Sequence, residues 1–292
     1  MPSGIVLGVA TAVAWGSSDF LARFATRSVG SVRALLGMQA WGAFLVTLLL
    51  LFSRDWGHIF DGSGWQPWAW GILAGIITTS AMLALYRGFE IGKLALVGPI
   101  SASYPALTVI LSLLSGERLS LHRILGIVAA LGGVILVAAG EKTAGDGERT
   151  GKLGATAGLG WAIAAAFGFG VVFWLLGIRM IPRSGALATV WLIRITGALI
   201  TFTVVLAKRI PMRVKNKRTN AQLYTMGFFD TGAFALSNLG MRMEQIAIIS
   251  VLGSLYGAVT VAFAAVFLKE HISFPQWLGI TSIILGVALI NI

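Results

Sequence analysis

Residues 97–137 hold two apolar segments, each long enough to cross a bilayer, joined by a short charged hairpin at Gly116-Glu117-Arg118. The same arrangement returns 153 positions later, over residues 250–290. At that fixed offset Ser101 falls on Ser254, Glu117 on Glu270, Ser120 on Ser273, and Leu125-Gly126-Ile127 on Leu278-Gly279-Ile280. Gly133-Val134 likewise falls on Gly286-Val287. Shared leucines and valines are expected between any two membrane helices, whereas shared Glu, Ser and Gly are not. The chain therefore reads as a duplicated membrane unit.

The front of each half agrees. Leu7, Gly8, Ala10, Ala12, Ala14 and Gly16 recur as Leu159, Gly160, Ala162, Ala164, Ala166 and Gly168, with Trp15 falling on Phe167, at an offset of 152. Charged residues make up 11% of the chain and apolar ones 57%, against roughly 25% charged in a soluble domain. Too little polar surface remains to cover the molecule in water, so lipid is its solvent. A helix needs about 20 apolar residues to cross the hydrocarbon core. On that measure spans fall near 4–25, 32–53, 67–87, 94–115 and 123–140, then near 153–177, 185–207, 222–240, 246–268 and 275–291. The first residues lack a basic stretch and a cleavage site, so they read as the first span rather than a signal peptide.

The expected fold is an all-α integral membrane protein of ten transmembrane helices. Residues 1–140 and 153–292 form two five-helix repeats, joined by a hydrophilic link over 141–152. An odd number of spans per repeat inserts the second copy upside down, the arrangement of secondary transporters with a substrate site between the halves. Glycine pairs such as Gly4/Gly8, Gly71/Gly75, Gly154/Gly158 and Gly253/Gly257 allow close helix packing.

A formal charge of +11 would suggest nucleic acid in a soluble protein. Here the basic residues sit between apolar runs, where they set topology and face lipid headgroups, so no nucleic-acid partner is expected. The odd-numbered loops carry 15 Lys and Arg against 6 in the even-numbered ones, which places the odd loops in the cytoplasm and both termini outside.

The pattern Pro99, Pro105, Gly116-Glu117-Arg118, Gly126 and Gly133, echoed at Glu270, Gly279 and Gly286, resembles the EamA repeat of the drug/metabolite transporter superfamily. The resemblance covers nearly the whole chain and is strongest to amino-acid exporters of the YddG type. It implies export of a small organic metabolite, most readily an aromatic or large neutral amino acid, by alternating access across a bacterial inner membrane. Exchange of drugs or nucleotide sugars is the alternative within transport. Family members are described with both termini cytoplasmic, opposite to the charge bias, so orientation stays open, as does the oligomeric state.

Ionisable groups inside a membrane are costly and mark pathways or pairs. Three lie well inside expected spans: Asp19, Arg194 and Asp230. Asp19 either pairs locally with Arg23 or faces a cavity. Arg194 and Asp230 sit on adjacent antiparallel helices; they either form a buried ion pair or receive a substrate's carboxylate and its amino group or proton. Hydroxyls at Thr78, Ser101 and Ser254 fall near midspan, and Asn238 is a further pathway candidate. Tyr104 and Tyr256 lie off the interfacial belt; with Trp15, Trp161 and Trp191 they would wall a cavity suited to apolar or aromatic solutes. Glu117 and Glu270 are expected to cap helices or to pair with Arg118 and Lys269.

Other chemistry finds no support. There is no cysteine, and the three histidines, His58, His122 and His271, are scattered over loops. No metal or cofactor is therefore expected. No nucleophile–base pair or carboxylate dyad at depth argues for an intramembrane enzyme. The glycine-rich runs at 158–162 and 253–259 lack the strand and lysine of a phosphate loop.

Overall fold

The computed structural model describes residues 4–53, 56, 59–62, 64–92, 94–144, 158–268 and 273–291. All regular structure among them is helical. In chain order the helices are α1 (Gly4–Val29), α2 (Ser31–Ser53), α3 (Gln66–Ile91), α4 (Leu94–Ala102), α5 (Pro105–Leu114), α6 (Leu121–Ala144) and α7 (Leu159–Leu175). A π-helical turn, Leu176–Met180, leads into α8 (Ile181–Ser184), followed by α9 (Ala186–Ala207), α10 (Lys217–Met241), α11 (Ile246–Ser254), α12 (Tyr256–Leu268) and α13 (Phe274–Asn291). Five stretches are long and apolar enough to cross a membrane: Gly4–Val29, Ser31–Ser53, Gln66–Ile91, Leu159–Ser184 and Ala186–Ala207. Large apolar side chains such as Phe52 and Leu114 are exposed at 85% and 80%. Water would not tolerate so many of them, whereas hydrocarbon does.

Between helices in lipid there is little hydrophobic driving force, and van der Waals fit must hold the bundle. The α6–α13 contact illustrates this. A Cβ on Gly126 would lie 2.7 Å from the carbonyl oxygen of Gly286, and one on Gly133 would lie 2.6 Å from that of Gly279. Only glycine admits this approach. The two contacts also exchange under the 153-residue offset, because Gly126 maps to Gly279 and Gly133 to Gly286. Elsewhere α1 packs along α10 and α7 along α3, while α2 faces α9.

The structure departs from the expected spans at several places. Two spans read as continuous, 94–115 and 246–268, are each broken near the middle. Pro105 has no N–H to donate to the Ser101 carbonyl. Tyr104 N–H takes that oxygen instead at 3.3 Å, in a tighter turn, and a new helix starts. The second break, at Leu255, has no proline. There Leu255 N–H bonds back to Leu252 at 3.2 Å, and the Ser254 hydroxyl occupies the Val251 carbonyl at 2.8 Å. A proline also marks the π turn: in a straight α-helix the ring of Pro182 would meet the carbonyl of Ile178, and the wider turn falls there. Helix α6 runs on to Ala144, four residues into the expected link, and 145–157 lie outside the described residues.

Glu117 does not pair with Arg118. Its Oε2 accepts a hydrogen bond from Ala247 N–H at 3.4 Å, in the first turn of α11, so it caps a helix of the other half. Burial pushes its carboxyl above the ordinary range, against the Ile246 and Ala247 amides, which pull it down. Alongside it, Arg123 Nη1 bonds Gln245 Oε1 at 2.8 Å and Glu244 Oε2 at 3.3 Å. Glu270, Lys269, His58 and His271 lie outside the described residues, as does Gly154.

Candidate functional site

Spacing along each helix decides what reaches the middle of the bundle. Residues three or four apart share a helix face. Trp15 and Asp19 on α1, Met82 and Leu85 on α3, Phe169 and Phe173 on α7, and Asp230 and Phe234 on α10 are four such pairs. With Tyr104 and Tyr256, which begin the second half of each broken helix, they line one cavity. Gly253 helps to shape it: a Cβ there would lie 2.9 Å from the Trp15 ring and 3.3 Å from the Tyr104 hydroxyl.

The aromatic wall is continuous. Phe173 stacks on Tyr104 at 4.9 Å between centroids and on Phe234 at 5.8 Å. Trp15 meets Phe173 and Phe234 edge-on, each at 5.3 Å. Both tyrosine hydroxyls turn to the backbone or side chains behind the wall. Tyr104 donates to the Ser250 carbonyl at 3.0 Å, and Tyr256 shares a hydrogen bond with Ser101 at 3.0 Å. The rings therefore present faces and edges to the cavity while their polar ends are satisfied.

Two carboxylates open onto this apolar space. Asp230 is ion-paired with Arg194 Nη2, and the pair is almost wholly buried, at 2% and 0% exposure. Arg194 stands behind Asp230, out of the cavity lining. Its Nη1 donates to Gln39 Oε1 at 3.0 Å, and its guanidinium lies 4.9 Å from the centroid of Phe234. Gly42, which falls on Arg194 at the 152-residue offset, makes room for it: a Cβ there would lie 3.1 Å from Arg194 Cδ and would clash with Thr231 Oγ1. Asp19 has no such partner. Among the described residues it makes no hydrogen bond and no ion pair, and the charged group that bears on it is Asp230. Arg23, one turn along, lies instead over the Phe24 ring.

Of the residues singled out from sequence, the fold brings Trp15, Asp19, Tyr104, Asp230 and Tyr256 onto one cavity. Ser101 and Arg194 stand one step behind, bonded to lining residues. The others lie elsewhere. Trp191 belongs to a separate cluster with Trp56, Phe60 and Trp68 and donates to Thr47 Oγ1 at 2.9 Å. Trp161 is 46% exposed on the outer face of α7. Asn238 donates to the Ala186 carbonyl at 3.1 Å, Ser254 folds back on its own helix, and Thr78 is buried with its hydroxyl unpaired. Met82, Leu85, Phe169, Phe173, Phe234 and Gln39 went unnoticed in the sequence. Gln39, an amide in midspan, offered a signal; the phenylalanines offered only their four-residue spacing.

A family model, the EamA-like transporter family, matches residues 2–139 and again 156–292. The chain belongs to that family. An uncharacterised transporter of Archaeoglobus fulgidus is 25% identical over 302 residues, covering 98% of this chain and 97% of its own. An uncharacterised protein of Methanocaldococcus jannaschii is 28% identical over 138 residues, which is 47% of this chain but 97% of that protein. A crystal structure superposes with a TM-score of 0.77 at 19% identity, over 98% of this chain and 95% of the other, and shares the fold. The transporter is thus a multi-pass membrane protein.

Proposed function

We propose that the protein is a secondary transporter that exports amino acids with aromatic or large apolar side chains by alternating access across a bacterial inner membrane. The observation that carries this reading is the lining of the cavity: six aromatic rings and two carboxylates turned onto one central space. A solute's ring would lie among Phe169, Phe173 and Phe234, and its ammonium would turn toward Asp19. In this reading residues 1–140 and 153–292 form two inverted five-helix units of a ten-helix bundle. The exchanging glycine contacts of α6 and α13 support that arrangement, since a two-fold operation relates them. So does the Methanocaldococcus protein, nearly all of which aligns with about half of this chain.

One observation favours a second reading, export of amine-bearing drugs or metabolites without a carboxyl group. No Lys, Arg or His lines the cavity among the described residues, and Arg194 is engaged by Asp230 and Gln39. The same fact counts against nucleotide sugars, whose phosphates need several free cations. Proteoliposomes holding the purified protein, tested with a radiolabelled panel of amino acids and matching decarboxylated amines, separate these readings. Saturable flux of the amino acids is the expected result. Flux of the amines alone would favour the second reading, and flux of neither would overturn both.

A further inference from the structure

We infer that Asp19 is a single-cation site, held by a proton when the cavity is empty and by the ammonium group of a solute when it is filled. The inference rests on the cavity being the substrate site and adds how transport is driven. The argument is one of charge balance. Asp19 is 6% exposed in a wall of aromatic rings, where an isolated ion is costly. The groups that face it from the packed helices offer no compensation. On α10 Asp230 is neutralised by Arg194 of α9. The Tyr256 hydroxyl of α12 is bonded to Ser101, and that of Tyr104, at the start of α5, to Ser250. Tyr86 of α3 is a buried phenol. Between them, α7 and α11 bring only uncharged side chains.

One positive charge is therefore missing, and two species can supply it. A proton makes Asp19 a neutral acid. An organic ammonium ion replaces that proton: the O–H bond of the Asp19 carboxyl breaks, the proton leaves to solvent, and the carboxylate left behind pairs with the incoming ammonium. For a solute that carries an ammonium group and no carboxylate, the cavity is neutral before and after, so the bare carboxylate is never exposed to the apolar wall. The surrounding rings, whose faces attract cations, hold the ammonium and its substituents. Each transport cycle then exchanges one solute cation for one proton moving the other way.

Benzyltrimethylammonium, a permanent cation that carries no proton of its own, tests this with the purified, detergent-solubilised protein. Binding is read by tryptophan fluorescence and proton release by a pH dye in weakly buffered solution near neutrality. The expected result is release of about one proton per cation bound. Asp19→Asn removes a carboxyl that has no partner among the described residues, so the fold survives, and affinity falls roughly 10- to 100-fold through loss of the buried charge pair with the quaternary ammonium, with no proton released. Asp19→Glu restores the release and guards against misfolding of the Asn variant. Cation binding to the wild type without proton release, or undiminished binding by Asp19→Asn, would overturn the inference while leaving the transport reading intact. Absence of binding by both the cation and its uncharged carbon analogue, together with absence of flux in proteoliposomes, would remove the transport reading as well.

Discussion

Asp19 and Asp230 look onto the same cavity from adjacent helices, α1 and α10, yet the fold treats them in opposite ways. Asp230 is clamped by a guanidinium that is itself held by Gln39 and by the face of Phe234. Asp19 faces aromatic rings, and no described residue balances its charge. The same side chain at similar depth is thus a fastening in one place and an unfilled site in the other. Depth in the membrane does not separate the two roles; the presence of a counter-charge does.

Breaking the clamp is expected to have the largest effect. Asp230→Asn leaves Arg194 buried and unpaired and costs about 3–5 kcal/mol of stability. Thermal unfolding in detergent should show a large fall in the midpoint, with loss of folded protein on expression. Replacing both partners by apolar residues, Arg194→Met with Asp230→Leu, should recover most of that loss, since an apolar pair of similar volume is often as stable as a buried ion pair. If the double variant is as unstable as the single one, the clamp does more than balance charge.

On the Asp19 side a change of shape should act on binding. Gly253→Ala places a methyl group 2.9 Å from the Trp15 ring. Overpacking of this kind costs about 1–3 kcal/mol, and here it narrows the cavity beside Asp19. Weaker binding of bulky aromatic solutes than of small amines is expected by fluorescence titration. The smallest effect should come from outside both regions. Glu117→Gln keeps an oxygen for the α11 amides and should change stability by under about 1 kcal/mol, with no change in solute preference. It should also remove a pH slope. The folded protein holds the Glu117 proton more tightly than an unfolded chain would, so rising pH through the carboxylate range weakens the wild-type fold. Unfolding midpoints in acid and at neutrality should differ less in the variant.

Much of this was legible in the sequence, and the reasons differ by residue. The repeat showed itself through Gly126, Gly133, Gly279 and Gly286, and the structure shows why they recur: their backbones touch. Charged residues in midspan stood out because lipid makes them expensive, which is how Asp19, Arg194 and Asp230 were found. Position along a helix does not fix rotation about its axis, however. Trp191 reads with Tyr104 as a cavity aromatic, yet it lies in the first third of its span and turns to a different aromatic cluster. Phe169, Phe173 and Phe234 were invisible for the opposite reason, since phenylalanine is unremarkable in any membrane helix and only the assembled fold shows which ones share a wall. The break before Pro105 could have been read from its missing N–H, whereas the break at Leu255 has no comparable local signal.

The contrast between the two carboxylates is tested most directly by comparing solute-induced thermal stabilisation in the wild type, Asp19→Asn and Asp230→Asn, using an aromatic amine as the solute. The account predicts that Asp19→Asn unfolds at the wild-type temperature without solute but no longer gains stability when it is added, while Asp230→Asn is already unstable before solute is present. An Asp230→Asn variant as stable as the wild type, or an Asp19→Asn variant that keeps the full solute-induced shift, would contradict it.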